Sequence, residues 1–424
     1  MHTIVALSSG RPPAAIGVVR VSGAMALPAA EALTGGLPSP RVASLRALRD
    51  AEGSLLDRAL VLVFPGPNSA TGEDLVELHC HGGRAVTAAV IAALCAMPDV
   101  RLAEPGEFTR RALLNGRIDL AQAEGLADLL EAETQAQRRA ALSASEGQVS
   151  GAIRGWLDML ATLSAQVEAT LDYAEEGDVA AEAALLTEVR AGAAALRETI
   201  LSVLTAPPVE RLRDGLRVVI AGPPNSGKST LLNMMSDREA AIVSPVAGTT
   251  RDRIEAPVHR NGVAYLLTDT AGLTDTDDTV ERIGVMRAND AIAGADLLIW
   301  MGDDPPPQDD ALWVHARADL AGREALPEGR AVAFMQASQA MLGELWHAVE
   351  HRAGVLLPRL DDLPLKAHQR HACEEVTDHL QLNGEVLLVA ERLRLARSIL
   401  ASLLGFNATD LMLNALFSRF CIGK

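Results

Sequence analysis

The stretch that most restricts this chain is Gly222-Pro-Pro-Asn-Ser-Gly-Lys-Ser229, which begins directly after the β-rich run Leu216-Arg-Val-Val-Ile-Ala221. A strand that ends in GxxxxGK[ST] and continues into Leu231-Leu232 calls for a strand–loop–helix unit whose backbone N–H groups turn inward on phosphate oxygens. Lys228 would neutralise charge between the β and γ phosphates, and Ser229 offers a hydroxyl to Mg²⁺. Such a unit needs partner strands. Val263-Ala-Tyr-Leu-Leu267, Ala295-Asp-Leu-Leu-Ile-Trp300 and Ala331-Val-Ala-Phe334 supply them, separated by stretches long enough for helices. That alternation predicts a mainly parallel α/β sheet.

Two further stretches follow at workable spacing. Gly248-Thr-Thr-Arg-Asp252 offers the Thr250 hydroxyl to the Mg²⁺ shell and the γ-phosphate, and Asp269-Thr-Ala-Gly272 offers a carboxylate to the metal and a Gly N–H to the γ-phosphate. The three in this order describe a GTPase switch domain. Leu273 stands where Ras-like switches place a water-orienting Gln, and an aliphatic side chain cannot align water, so another group must. Glu281 in Val280-Glu-Arg-Ile-Gly284 is the candidate, and Asn225 can help hold a monovalent cation by the β,γ-bridge. Base recognition falls on Ala316-Arg-Ala-Asp319. Asp319 can accept from the guanine N–H groups and Arg317 can lie over the base, but Ala316 stands where an Asn is usual. Losing one buried hydrogen bond costs about 1 kcal/mol, which weakens guanine binding several-fold without abolishing it.

The rest of the chain reads as other domains, as 424 residues predict more than one core. Up to about residue 117, runs such as Ile16-Gly-Val-Val-Arg-Val21 and Ala59-Leu-Val-Leu-Val-Phe64 are strand-like. Ala, Leu, Glu and Gln then dominate to about Leu212, with apolar residues at helical spacing, and the same texture returns after the α/β stretch. The expected layout is an N-terminal α+β domain over 1–117, a helical domain split between 118–212 and 353–424, and the α/β domain inserted at 213–352. The net charge of −17 rules out nucleic-acid binding through the overall field, so any such contact needs a local basic patch. Arg110-Arg111, Arg138-Arg139 and the Arg392, Arg394, Arg397 face are the candidates, beside the plainer reading as solvated helix faces. Cys80, Cys95, Cys373 and Cys421 form neither a CxxC pair nor a zinc spacing, which suits a reducing cytoplasm. No signal peptide or membrane span is expected.

Taken together, PNSGKS, GTTRD, DTAGL with VERIG behind it, and the closing Phe420-Cys-Ile-Gly-Lys424 resemble one family, the tRNA wobble-uridine modification GTPases (MnmE or TrmE). The resemblance extends to IGVVRVSG, FPGPNSATGEDLVELHCHGG and PGEFTRRALLNGRIDLAQAE, so it covers nearly the whole chain. It implies a cytoplasmic homodimer with a tetrahydrofolate-binding N-terminal domain, a helical domain and an inserted GTP-binding domain. It also implies an FAD-dependent partner in a heterotetramer, with which the protein adds a (carboxymethyl)aminomethyl group to carbon 5 of the wobble uridine in certain tRNAs. The one-carbon unit would come from 5,10-methylenetetrahydrofolate, of which 5-formyltetrahydrofolate is an analogue.

By the same resemblance, folate contacts fall on Arg20, Glu77, Arg117 and Lys424, and Cys421 is the functional thiol of a tail that bends back into that region. K⁺ would be held by Asn225, Ser244, Val246 and Thr249, and Mg²⁺ by Ser229 and Thr250, while Lys228 and Glu281 serve hydrolysis. GTP contacts would come from Asn225, Ser226, Gly227, Lys228, Ser229 and Thr230 in the loop. Ser244, Pro245, Val246, Ala247, Gly248, Thr249 and Thr250 would add theirs, with Asp269, Thr270, Ala271 and Gly272 behind them and Asp319 at the base. Two other readings stay open on the residues alone: a GTPase switch that times ribosome assembly, and a folate-dependent one-carbon transferase with vestigial nucleotide binding.

Overall fold

Alternation along the early strands sets the first sheet. Val19, Val21, Val76 and Leu78 are fully buried, while Arg20, Glu77 and His79 between them are not, so one face is core and the other faces polar groups. The computed structural model describes residues 2–173, 179–236, 255–270, 280–334, 339–359, 361–406, 410–418, 420, 422 and 423. Its contacts divide the chain into two compact units: Met1–Ala127 with Ala144–Asp158 and Arg397–Lys424, and Asp128–Ser143 with Met159–Ala396.

In the first unit, β1 (Thr3–Leu7), β2 (Ile16–Ser22), β3 (Ser44–Arg49), β4 (Leu55–Phe64), β5 (Leu75–His81) and β6 (Val100–Leu102) form one sheet in the order β3-β4-β5-β2-β1-β6. All neighbours are antiparallel except β1 and β6. Helices α1 (Ala26–Thr34) and α2 (Arg84–Cys95) cover the apolar face, with Ala26, Ala29, Leu33, Val90 and Leu94 packed on the buried valines and leucines. On the other face, Phe108 of α3 (Glu107–Leu114) packs against Ile4 and Ala6. Three helices follow α4 (Leu120–Glu131), the short α5 (Gln135–Ser145) and the long α6 (Gln148–Tyr173) and α7 (Val179–Leu204), and a single turn, α8 (Glu210–Arg213), leads to the second sheet. The helical texture of the sequence is thus realised.

The second sheet contains β7 (Leu216–Ala221), β8 (Glu255–Arg260), β9 (Val263–Asp269), β10 (Leu297–Trp300), β11 (Leu312–His315) and β12 (Val332–Ala333), in the order β12-β11-β10-β7-β9-β8. Every pairing is parallel except β8 on β9. Pro257 sits in β8 at the sheet edge, where its missing N–H costs no ladder bond. The mainly parallel sheet expected from the sequence is present. The strands read from the sequence did not include β8 or β11. Helices α9 (Lys228–Ser236), α10 (Val280–Ala293) and α11 (Gln339–Leu356) accompany the sheet. Val218 and Ile220 of β7, Leu231 and Leu232 of α9, and Leu345 and Trp346 of α11 share its largest core. The chain closes through α12 (Ala367–His379), α13 (Val386–Leu403) and α14 (Asp410–Phe417), with Gly405 two residues past the end of α13 at φ 93°, the left-handed stop its position predicts.

Candidate functional site

β7 is one of the two middle strands of the second sheet, and the loop after it emerges where parallel strands end and helices begin, the usual place for a ligand in an open α/β sheet. Asn225 takes φ 60°, a left-handed conformation that Asn tolerates better than most side chains, and Gly227 follows at φ 98°. A Cβ at Gly227 would also stand 3.4 Å from the Phe334 ring. The loop closes on Lys228, which is almost fully buried and donates from Nζ to the carbonyls of Gly222 (3.0 Å) and Pro223 (2.8 Å). Burial lowers the Lys228 pKa, and the nearby Asp269 carboxylate opposes that shift.

β9 pairs with β7 and delivers Asp269 beside the helix start, where Ser229 Oγ donates to Asp269 Oδ2 at 2.5 Å. Thr270 donates to the Ile220 carbonyl at 3.1 Å, tying the end of β9 to β7. A hydroxyl and a buried carboxylate side by side are the hard oxygen donors that Mg²⁺ prefers. Ser226 is buried, and its hydroxyl has no hydrogen-bond partner among the described residues.

Across a cleft of about 580 Å³, residues Asn225 to Thr230 face Arg317, Asp319, Leu320 and Phe334. That volume suits a small-molecule ligand. β11 ends at His315, and Ala316-Arg-Ala-Asp319 turns immediately after it, with Arg317 at φ 57°. Exchange between the Ala318 N–H and the Phe334 carbonyl (3.0 Å), and between the Phe334 N–H and the His315 carbonyl (2.7 Å), fixes the turn to the chain around β12. His315 Nε2 meets the Arg323 carbonyl at 3.0 Å, and Arg323 forms a two-pronged pair with Asp303 (2.7 and 3.0 Å). The Arg323 bonds hold the Asp303 pKa below the ordinary carboxylate range. The acidic segment after β10 therefore braces the base-side turn. Ala316 is buried, while Arg317 and Asp319 are exposed to the cleft. Leu320 and Phe334 are cleft residues that sequence reasoning missed; neither carries a motif.

The first unit assembles a second group of expected residues. Arg20 on β2 lies directly opposite Glu77 on β5 and donates to Glu77 Oε1 from Nε (3.1 Å) and Nη2 (2.8 Å). The Arg20 guanidinium also stands 5.8 Å from the centre of the Phe108 ring. Burial raises the Glu77 pKa, but hydrogen bonds and charge from Arg20 and His79 outweigh it, leaving a net lowering. Arg117 is exposed and its aliphatic stem passes Gly72. The tail reaches the same sheet: Ile422 bridges Pro105, and Ser8 Oγ donates to the Gly423 carbonyl at 2.9 Å, just beyond β1, whose Ala6 is the register partner of Arg20.

Of the basic candidates, Arg111 is excluded as an exposed contact, being buried and donating to Glu73, Glu107 and the His2 carbonyl. Ser244, Pro245, Val246, Ala247, Gly248, Thr249, Thr250, Ala271, Gly272, Cys421, Lys424 and the Glu281 side chain lie outside the described residues.

Among known proteins, a family model described as the GTP-binding protein TrmE N-terminus matches residues 3–117, and one described as the MnmE helical domain matches residues 120–421. The tRNA modification GTPase MnmE of Erythrobacter litoralis is 50% identical over 429 residues, covering 100% of both chains. That of Rhizorhabdus wittichii is 51% identical over 429 residues, covering 100% of this chain and 96% of the relative. That of Sphingopyxis alaskensis is 48% identical over 419 residues, covering 96% and 100%.

Proposed function

The chain belongs to the MnmE family of tRNA modification GTPases, and from that premise we propose how its two groups of residues divide the work. GTP is taken into the cleft after β7, and a one-carbon unit for the wobble uridine is handled on the polar face of the N-terminal sheet.

At the GTP site, the loop amides and Lys228 hold the triphosphate, Asp319 reads the guanine, and Arg317 lies over the base. Ser229, Asp269 and Thr250 would hold Mg²⁺, and Asn225, Ser244, Val246 and Thr249 would hold K⁺. Both cations, when bound, offset charge that gathers on the phosphoryl oxygens. Glu281 orients the attacking water in place of the Gln that Leu273 displaces. The observation that carries this reading is the Lys228–Ser229–Asp269 cluster at the mouth of β7. So complete a phosphate and metal cluster favours a working nucleotide site over a vestigial one.

At the other site, Arg20, Glu77, Arg117 and Lys424 bind a tetrahydrofolate that brings the one-carbon unit, and Cys421 serves as the tail's functional thiol. The Arg20–Glu77 pair fits this ligand: Arg20 Nη1 makes no hydrogen bond among the described residues and can meet an anionic group. A homodimer joined to an FAD-dependent partner in the cytoplasm completes the proposal, with domains at 1–117, 118–212 with 353–424, and 213–352. Among the described residues no helix is long and apolar enough to cross a membrane.

The test is complementation of a strain lacking the protein. Wild type restores the modified wobble uridine in tRNA nucleosides, and its purified form hydrolyses GTP faster in K⁺ than in Na⁺. Lys228→Ala keeps the fold by circular dichroism but loses at least about 100-fold in hydrolysis, as removal of a transition-state charge contact does. Unchanged wobble uridine in the deletion strain overturns the modification role; equal rates in K⁺ and Na⁺ overturn the cation assignment.

A further inference from the structure

β5 alternates polar side chains on the face turned away from the core: Glu77, His79 and His81 are two residues apart, with Val76, Leu78 and Cys80 buried between them. Of these three, the family resemblance implies a ligand contact only for Glu77. In the structure Glu77 has two partners. Arg20 takes Oε1 with two nitrogens, and His79 Nε2 takes Oε2 at 3.1 Å. Side-chain exposures are 25% for Arg20, 17% for Glu77 and 27% for His79, so the three form one partly buried patch. His79 Nδ1, like Arg20 Nη1, makes no hydrogen bond among the described residues.

We propose that His79 is a third ligand-recognition residue of this patch and that its proton sets the patch's affinity for an anionic, pterin-bearing ligand of the tetrahydrofolate class. This rests on the folate reading above. With His79 charged, Arg20, Glu77 and His79 sum to one net positive charge; with it neutral, they sum to none. Imidazole is the side chain whose charge ordinarily changes between about pH 5 and 8. Glu77, held ionised by both partners, does not titrate in that window, and neither do a folate's glutamate carboxylates.

The described strands and helix packed around His79 bring the following groups. On its own strand stand Glu77 and His81, the latter occupied through Nδ1 with Asp57 Oδ1 at 2.7 Å. β4 brings Leu60 directly opposite, with Asp57 and Arg58 farther along, and β2 brings Val18 opposite, with Arg20 beyond it. Phe108 of α3, which faces Arg20, adds no charge. His79 has no ion pair other than Glu77 among the described residues. Its charge therefore acts on what enters the patch. One added charge at contact range, screened by water and salt, changes affinity by about three- to tenfold.

The experiment is isothermal titration of the full-length protein with 5-formyltetrahydrofolate at about pH 6 and about pH 8, for wild type and His79→Gln. Glutamine retains a donor for Glu77 and carries no titrating proton. Wild type is expected to bind about three- to tenfold more tightly at the lower pH, and H79Q to bind at both with the weaker affinity. As a second readout, the His79 ring resonances of the wild type shift their titration to higher pH when the ligand is added. An H79Q protein that keeps the wild-type slope overturns the proposal, as does a wild type with no slope or an unmoved resonance. Should wild type bind at neither pH, the folate reading itself falls, and this proposal with it.

Discussion

A single-atom exchange at Asp319 tests the base side of the cleft. The carboxylate can only accept hydrogen bonds and so matches the N–H groups of guanine, whereas asparagine can also donate and matches a base with a carbonyl at the same edge. Asp319→Asn is expected to weaken GTP by about tenfold or more and to favour the xanthine nucleotide, through one mismatched buried polar contact and one gained. Competition against a fluorescent guanine nucleotide measures it, and an unaltered preference would remove Asp319 from the site. Legibility at this scale followed chemistry. Lys228, Ser229 and Asp269 stood out because phosphate and metal binding demand those residue types at fixed spacing; the structure hydrogen-bonds Ser229 to Asp269 and sets Lys228 where the Asp269 charge acts on it. Phe334 was invisible because its place depends on which strand lies beside which. The i, i+2 run Glu77, His79, His81 was the one available signal for His79.

Among elements, the last described residues dock beside the first sheet, Ile422 on Pro105 and Gly423 on Ser8. Gly423 takes φ 99°, and a Cβ there would lie 2.3 Å from the Leu7 carbonyl oxygen, so only glycine fits between the tail and β1. Gly423→Val should release the tail from Ser8, with loss of wobble-uridine modification in cells and GTP hydrolysis kept within about twofold of wild type. A variant that still modifies tRNA would show the tail's docking to be dispensable. A buried contact is also made at Gly125, where a Cβ would stand 2.5 Å from the Ser145 backbone nitrogen; Gly125→Ala should cost about 1–3 kcal/mol, read as a lowered Tm. Element type was legible from periodicity, above all β7, whose observed span Leu216–Ala221 is the run seen in the sequence. Strand order was not: that β1 lies between β2 and β6 depends on pairings across nearly 100 residues.

For the molecule as a whole, acid is the revealing stress. Asp57 and Glu107, like Glu77, have pKa values below ordinary. In each case burial raises the value and the bonds outweigh it, from His81 and Arg58 for Asp57, and from Arg101, Glu104 and Arg111 for Glu107. A depressed folded pKa binds fewer protons than the unfolded chain, so these groups contribute stability that is complete above their unfolded values of 3.8 and 4.5 and is lost as pH falls through the lower folded values. Urea midpoints should therefore fall steeply below about pH 4.5, and less steeply in Asp57→Asn. Equal slopes would show that the His81 contact contributes nothing. The bond between Ser8 and Gly423 joins residues 415 positions apart. A ribosome releases the first partner hundreds of residues before the second, so the seam between them closes only after the strands that separate them in sequence have emerged. Truncated nascent chains could complete the nucleotide-binding sheet, whose last strand ends at Ala333, and still lack that seam.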